Sequence, residues 1–232
     1  MRALIIDTSS AVSVAAIDTA TDPAVLARFN GDDTHRHAED LAPAVSQVLD
    51  QAGWLSPDIV LTGEGPGPFT GLRVGMATAA TLAFAWGVPV AGWCSLDGLA
   101  HSIAGRPGSE AGFVAALDAR RKELYWARYD ATGARVDGPH VSSPVGLSEV
   151  MPHGVALAGA GVTARAQEIS DLGIRVVPGS ENVHVDAAEL GLAWIAAGAV
   201  RNEPKARYLR ESDAVVPASM AGVDVSRPGT QA

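Results

Sequence analysis

The stretch Gly63-Glu64-Gly65-Pro66-Gly67-Pro68-Phe69-Thr70-Gly71-Leu72-Arg73-Val74-Gly75 decides how this chain is read. Glycine permits positive φ and close backbone approach, and each proline fixes φ and removes an N–H donor. The stretch is therefore a defined turn, not a floppy linker. The apolar segment Ile59-Val60-Leu61 before it reads as a strand. A small-residue helix follows, from about Thr70 to Trp86, with Thr70 as its expected cap. Strand, glycine-rich turn and helix together present backbone donors to an anion in many proteins, so phosphate binding is the first question. Three stricter motifs fail. No Lys-Ser or Lys-Thr follows the glycines, the GxGxxG pattern would need glycine where Thr70 stands, and GxSxG is absent. Pro66 and Pro68 remove two amides that a phosphate cradle would use. On spacing alone, a rigid turn that packs a helix onto a sheet is favoured.

The 232 residues suit one large domain or two small ones. Hydrophobic residues at 47% and charged ones at 19% are ample for a buried core. Lys and Arg number 17 against 26 Asp and Glu, a net charge of −9. Such a chain is a poor nucleic-acid binder by itself, because phosphate contacts need clustered Lys and Arg. The single cysteine, Cys94, excludes an internal disulfide and fits a reducing compartment. It reads as a small core residue after a strand at 88–91, not as a nucleophile. Asp7 and Asp18 interrupt the first apolar runs, so no signal peptide is expected. No apolar run reaches the length of a membrane span. The expectation is a soluble cytoplasmic protein.

Working outward from the loop, Ala3–Ile6 and Val12–Ile17 read as two strands joined by the polar turn Asp7-Thr8-Ser9-Ser10, and 25–29 as a third. Leu41, Val45, Val48, Leu49 and Ala52 share one face of a helix that Gly53 stops, with Pro43 tolerable only in its first turn. After the loop and its helix come a strand at 88–91 and a helix starting near Ser95 or Asp97. Gly105 to Gly112 is the boundary candidate. Beyond it Phe113–Leu117, Asp118, a turn, and Glu123–Tyr129 repeat the layout of residues 3–18 in pattern, though not in identity. This predicts a duplicated α/β unit. Strands at 155–158 and 174–177 and helices near 163–171 and 187–199 complete the second half.

Four features bear on chemistry. Asp7-Thr8-Ser9 ends the first strand, where nucleotide-binding proteins of the actin, sugar-kinase and Hsp70 type keep an Asp near phosphate or Mg²⁺. Asp118 holds the matching place in the second half, and two carboxylates on one cleft would suit a hydrated metal. The competing reading is an Asx turn at each place, so Asp7, Thr8 and Asp118 are weak nucleotide-proximal candidates. The histidines predict no metal site: His35 and His37 diverge on a helix, HExxH is absent, and no two histidines stand four apart. The helix 70–86 is apolar on two sides, with Gly75, Ala79, Leu82 and Trp86 on one and Met76, Ala77, Ala80 and Phe84, headed by Arg73, on the other. An all-round apolar helix is covered on both sides, by the chain's own first helix or by another chain.

These residues resemble a known family. GPGPFTGLRVGMATAATLA at 65–83 is similar to the hallmark of the bacterial TsaB (YeaZ) family, and LIIDTSSAVSVAAID at 4–18 to its opening. His37 before Leu41-Ala42-Pro43, the segment Ala116–Tyr125, and Arg207-Tyr208-Leu209-Arg210 match later landmarks, in order, to about residue 213. The resemblance implies an α/β fold of two RNase H-like lobes of the actin/Hsp70/sugar-kinase (ASKHA) superfamily, at 1–106 and 107–212, with a tail at 213–232. It implies a role in making threonylcarbamoyladenosine in tRNA, as a non-catalytic dimerisation or scaffold subunit. Its partners would be the metalloenzyme TsaD, the ATPase TsaE in an ATP-dependent ternary complex, and a second copy when alone; tRNA is met only through the complex, and no membrane is involved. The helices at about 39–52 and 70–86 would meet TsaD. The interface candidates are Arg73, Met76, Ala77, Ala80, Phe84, His37, Leu41 and Val45. No catalytic residue, cofactor or metal is expected in this chain, and peptidase chemistry, despite the label glycoprotease-like, finds neither ligands nor a nucleophile set. An independent ATP-binding ASKHA-type ATPase or kinase is the alternative.

Overall fold

A computed structural model of the chain describes residues 1–20 and 22–210. The expected tail at 213–232 lies outside the described residues. The first half supplies β1 (Arg2–Asp7), β2 (Ser13–Asp18), β3 (Ala24–Asn30), α1 (His37–Ala52), β4 (Ile59–Gly63), α2 (Phe69–Trp86), β5 (Val90–Trp93) and α3 (Ser95–Ile103). The second supplies β6 (Phe113–Asp118), β7 (Leu124–Tyr129), β8 (Arg135–Ser142), α4 (Pro144–Val150), β9 (Ala156–Ala158), α5 (Gly161–Ala164), α6 (Ala166–Asp171) and α7 (Ala187–Ala196).

The strands form two sheets of one pattern, ordered β3-β2-β1-β4-β5 and β8-β7-β6-β9. In each, the first three strands in sequence are an antiparallel meander, and the next joins the first in parallel. The segment expected as a strand at 174–177 contributes only a parallel bridge, Leu157 to Val176, in the place that β5 fills in the first sheet. The duplication read from the strand–Asp–turn–strand layout is thus a duplication of topology.

Alternation along the strands sorts the core. In the first sheet Leu4, Ile6, Val14 and Ala16 face α1 and α2, while Ala3, Ile5, Ala15 and Ile17 face α7 through Leu190 and Trp194. In the second sheet Phe113, Ala115 and Leu117 meet Leu96, Leu99 and Ile103 of α3, and Val114, Ala116 and Trp126 meet Leu147, Val162 and Ile169. Helices α3 and α7 pack on one another between the sheets, so closely that a Cβ on Gly98 would stand 2.8 Å from the Leu190 backbone. Each comes from the half of the chain opposite to the core it fills. Burying Trp194 and Leu190 contributes roughly 1.5–3 kcal/mol apiece to holding the lobes together.

Several local expectations change. Pro43 sits in the second turn of α1, because the helix opens at His37; it is exposed, so the missing N–H costs a bond but no packing. Thr70 does not cap α2: the N-cap is Pro68, with no side-chain cap, and Thr70 is exposed in the first turn. The strand expected at 88–91 runs from 90 to 93, the helix expected at 163–171 is two short ones, and α7 ends at 196. β8 and α4 were not foreseen. Gly138-Pro139 breaks the apolar pattern of β8, which an edge strand tolerates and a central one would not.

Candidate functional site

The glycine-rich stretch and the Asp7-Thr8-Ser9 turn are two halves of one packed unit. A Cβ on Gly63 would lie 1.8 Å from Asp7 Oδ2, on Gly67 2.7 Å from the Ser9 carbonyl, on Gly71 2.5 Å from the Thr8 carbonyl, and on Gly75 2.1 Å from Thr8 Oγ1. Four glycines spaced four apart thus line a seat for the turn that ends β1. Thr8 Oγ1 donates to the Gly71 carbonyl at 2.8 Å, and His37 Nε2 donates to the Ser10 carbonyl at 2.6 Å. Gly65, at φ +85, turns the chain so that its N–H donates to Ser95 Oγ at 3.0 Å and its carbonyl accepts from Ser95 N at 2.9 Å.

Asp7 is 1% exposed, and its carboxylate accepts from Ser9 N (2.8 Å), Ser9 Oγ (2.6 Å) and Ser95 Oγ (2.5 Å). Burial pushes this carboxyl above its ordinary 3.8, against the pull of those hydrogen bonds. A carboxyl raised on folding keeps its proton after the unfolded chain has lost its own. Stability therefore falls as pH rises from about 3.8 to the folded value, and the loss is constant above it. Asp7→Asn removes that titration. The melting temperature of the variant relative to wild type is expected to climb as pH rises above about 4; a difference independent of pH would show that Asp7 titrates as in the open chain.

One cleft between the lobes holds about 240 Å³ and is lined by Ser9, Ser10, Pro68, Asp118, Arg120 and His184 among others, but not by Asp7; a larger cavity, about 620 Å³, is lined by Glu64, Asp97, Arg135 and the 202–209 segment. Ligand pockets usually span roughly 300–1,000 Å³. Asp118 accepts from Arg120 N at 3.0 Å and faces Arg165 at 3.5 Å. Burial lowers the His184 ring, which favours its neutral form. The carboxylates of Asp7 and Asp118 are not brought to one cavity. Asp7 lies behind the turn with its oxygens occupied, and Thr8 is spent on Gly71. Cys94 is buried and its thiol pushed up to about 12, inert as expected for a core cysteine.

Beside the loop runs a strap of residues 201–210 that sequence reasoning passed over, except for its Arg-Tyr-Leu-Arg signature. Glu64, 4% exposed, is its anchor. Its oxygens accept from Lys205 N (3.0 Å) and from Arg207 Nε (3.0 Å) and Nη2 (2.9 Å), and its carbonyl from Arg207 N (2.8 Å). Further along, Tyr208 stacks on Phe69 with centroids 4.5 Å apart, and Arg73 lies 5.6 and 5.8 Å from the two rings. Arg210 Nη1 donates to the Ala119 carbonyl at 2.9 Å. The strap thus ties the start of α2 to the β6–β7 hairpin. That hairpin closes through Arg120, Arg121 and Lys122 at φ 60°, 50° and 63°. For side chains with a Cβ the left-handed region costs about 1–2 kcal/mol per residue.

Helix α2 shows two faces. Leu72, Gly75, Ala79 and Ala83 are buried against the chain's own core, whereas Arg73, Ala77, Ala80 and Phe84 are exposed and Met76 is half-buried. Phe84 is 89% exposed. The three candidates from the first helix are placed differently: His37, Leu41 and Val45 are buried inside this chain. They are not presented to solvent, because the apolar stripe of α1 is the one that faces β2 and β3. The outer side of α1 carries Ala38, Ala42, Pro43, Ser46 and Gln47. Among the described residues no helix is long and apolar enough to cross a membrane.

Two sheets of one RNase H-like topology, facing each other across two exchanged helices, define an α/β protein of the ASKHA type. The family model described as "TsaD: tRNA N6-adenosine threonylcarbamoyltransferase" matches residues 31–166. An uncharacterised protein of Mycobacterium tuberculosis is 42% identical over 165 residues, 70% of this chain and 73% of that protein. The tRNA threonylcarbamoyladenosine biosynthesis protein TsaB of Escherichia coli is 35% identical over 126 residues, 50% of this chain and 54% of that one. A Pseudomonas aeruginosa crystal structure, described as an uncharacterised protein with similarity to peptidase YeaZ, superposes with a TM-score of 0.73 at 27% identity, over 90% of this chain and 99% of that one. The chain belongs to the TsaB (YeaZ) family.

Proposed function

We propose that this chain acts in tRNA threonylcarbamoyladenosine biosynthesis, in the cytoplasm, as a non-catalytic scaffold subunit that binds and supports a TsaD-type metalloenzyme. TsaE joins them in an ATP-dependent assembly, and the same surface serves a homodimer when the chain is alone. The observation that carries this reading is the exposed side of α2. Ala77, Ala80 and the bare Phe84 ring lie along one line on a helix whose other side is rigidly seated. Small residues permit close approach of a partner helix, and an exposed aromatic beside them is the usual form of an interface anchor. The lobes at 1–106 and 107–212 and a tail from 213 belong to the same reading.

The independent ATPase reading finds little support. Asp7 lines neither the 240 Å³ cleft beside its own turn nor the 620 Å³ cavity beneath the strap, and the glycine loop spends its close approaches on the chain's own turn. Size-exclusion chromatography with light scattering tests the proposal, using the chain alone and mixed with the TsaD of the same organism, with and without ATP. A one-to-one complex that replaces the chain's own dimer is expected. Persistence of two separate species at micromolar concentration would refute the scaffold role.

A further inference from the structure

We propose that the Phe69–Arg73–Tyr208 stack is a clamp for a carboxylate side chain of the TsaD-type partner, with Tyr208 of the strap holding Arg73 in place for it. The inference rests on the reading above that α2 meets that partner. Arg73 is the one charged residue in the 18 of α2, and it is exposed. It stands in line with Ala77, Ala80 and Phe84 on the side that the chain's own core does not cover. A cation in the opening turns of a helix faces the positive end of the helix dipole, so helix energetics do not account for it.

The guanidinium is ordered but not neutralised. Its carbon lies 5.6 and 5.8 Å from the centroids of Phe69 and Tyr208, and its Nε donates to the Tyr208 hydroxyl at 3.3 Å. Among the described residues no carboxylate forms an ion pair with it, and its two Nη groups donate to nothing. Arg207 and Arg210 of the same strap differ, being spent on Glu64 and Glu123. The strap does not need Arg73 for its own attachment, because Glu64 already holds it through Lys205 N, Arg207 N and the Arg207 guanidinium. The contact therefore serves Arg73: a guanidinium restrained in advance loses less freedom when a partner group pairs with it. Two free Nη groups form a fork that matches one carboxylate. A phosphate site gathers several donors, whereas the other arginines here are taken and the neighbours along α2 are apolar. Arginine beside aromatic rings at the edge of an apolar face is the composition of a protein interface.

The test compares wild type with Arg73→Gln, Arg73→Glu and Tyr208→Phe by titration calorimetry against the TsaD of the same organism, at low and high salt. Because Arg73 is exposed, the melting temperatures of its variants should stay within about 2 °C of wild type. Arg73→Gln is expected to weaken Kd about 30-fold or more, as truncating one member of a buried charge pair does, and to flatten its salt dependence. Arg73→Glu is expected to weaken it about 100-fold or more. Tyr208→Phe keeps the ring and the charge and drops only the hydrogen bond, so a loss of about 3- to 10-fold with the wild-type salt dependence is expected. Replacing the partner's exposed Asp and Glu residues by Lys, one at a time, should give one variant that pairs with Arg73→Glu better than unaltered TsaD does. A merely structural Arg73 could not yield that rescue. Wild-type affinity for Arg73→Gln, or no rescue at any partner carboxylate, would overturn the proposal, and an unchanged Kd for Tyr208→Phe would overturn the positioning role. An Arg73→Gln chain that keeps TsaD but costs the complex its affinity for ATP or for a tRNA transcript would overturn it too, by making the stack a phosphate contact. If the wild-type chain does not pair with TsaD at all, the scaffold reading falls and the clamp with it. If wild type pairs, Ala80→Asp does not, and Arg73→Gln pairs as wild type, the clamp alone falls.

Discussion

Ala80→Asp is expected to abolish pairing with TsaD while the isolated chain folds as before. Ala80 is exposed at the middle of α2, flanked on its own face by Ala77 and Phe84. In the free chain the new carboxylate points into water, and exposed substitutions of this kind move stability by no more than about 0.5 kcal/mol. In a close-packed helix interface the same carboxylate is stripped of water with no cation opposite. An uncompensated buried charge costs about 3–5 kcal/mol, which weakens Kd by a factor of 100 or more. Phe84→Ala should lose at least about 2 kcal/mol of binding if the ring is an interface anchor. Val145→Asp, on exposed α4 of the other lobe, is the control and should pair normally. Titration calorimetry against TsaD, with a thermal melt of each variant, separates binding from folding. Wild-type affinity for Ala80→Asp would remove α2 from the interface and with it the main support for the scaffold reading.

The contrast between α1 and α2 marks how far sequence could be read. The stripe of Leu41, Val45 and Val48 has helical periodicity, and periodicity identifies the side that seeks cover. It does not say whether the cover is the same chain or another. In α1 the stripe is the core side, so His37, Leu41 and Val45 fall inside. In α2 both sides are apolar; helical spacing already divides Gly75 and Ala79 from Ala77, Ala80 and Phe84, and the structure adds that the first two are seated and the other three exposed. Strands β1, β2, β4, β6 and β7 were legible because buried strands are unbroken apolar runs. β8 was not, since Gly138-Pro139 erases the pattern at an edge. The pairing of the loop glycines with Asp7-Thr8-Ser9 had no local signature, since the partners lie more than fifty residues apart in sequence. Their shared spacing of four was visible, but its meaning depends on what lies opposite. The left-handed basic tip left a trace in sequence only as a run of cations.

Gly63→Ala should have the largest effect on stability of any single methyl group added in the loop. Gly63 ends β4, where a Cβ would overlap Asp7 Oδ2 at 1.8 Å and press on Ser95 Oγ at 2.7 Å. Neither neighbour is the free end of a flexible side chain. Asp7 is fixed by three hydrogen bonds, and Ser95 by Asp7 on one side and Gly65 N on the other. Relief requires the Asp7 carboxylate to move within a fully buried space and lose at least one partner. An orphaned buried polar group costs about 1–3 kcal/mol, more when charged, and overpacking adds about 1–3 kcal/mol. The expected loss is about 3–5 kcal/mol, which at this chain length lowers the melting temperature by roughly 6–20 °C. Ala at Gly53, the C-cap of α1 with no atom within 4 Å of its Cβ, is strained only by its φ of +69 and should lose about 1 kcal/mol. The comparison separates steric seating from backbone freedom. A phosphate-binding loop would predict the reverse order of consequence, with Gly63→Ala folding normally and failing only toward a ligand. If Gly63→Ala melts within 2 °C of wild type, the seat is softer than its geometry states, and the loop's glycines must serve something other than the turn beneath them.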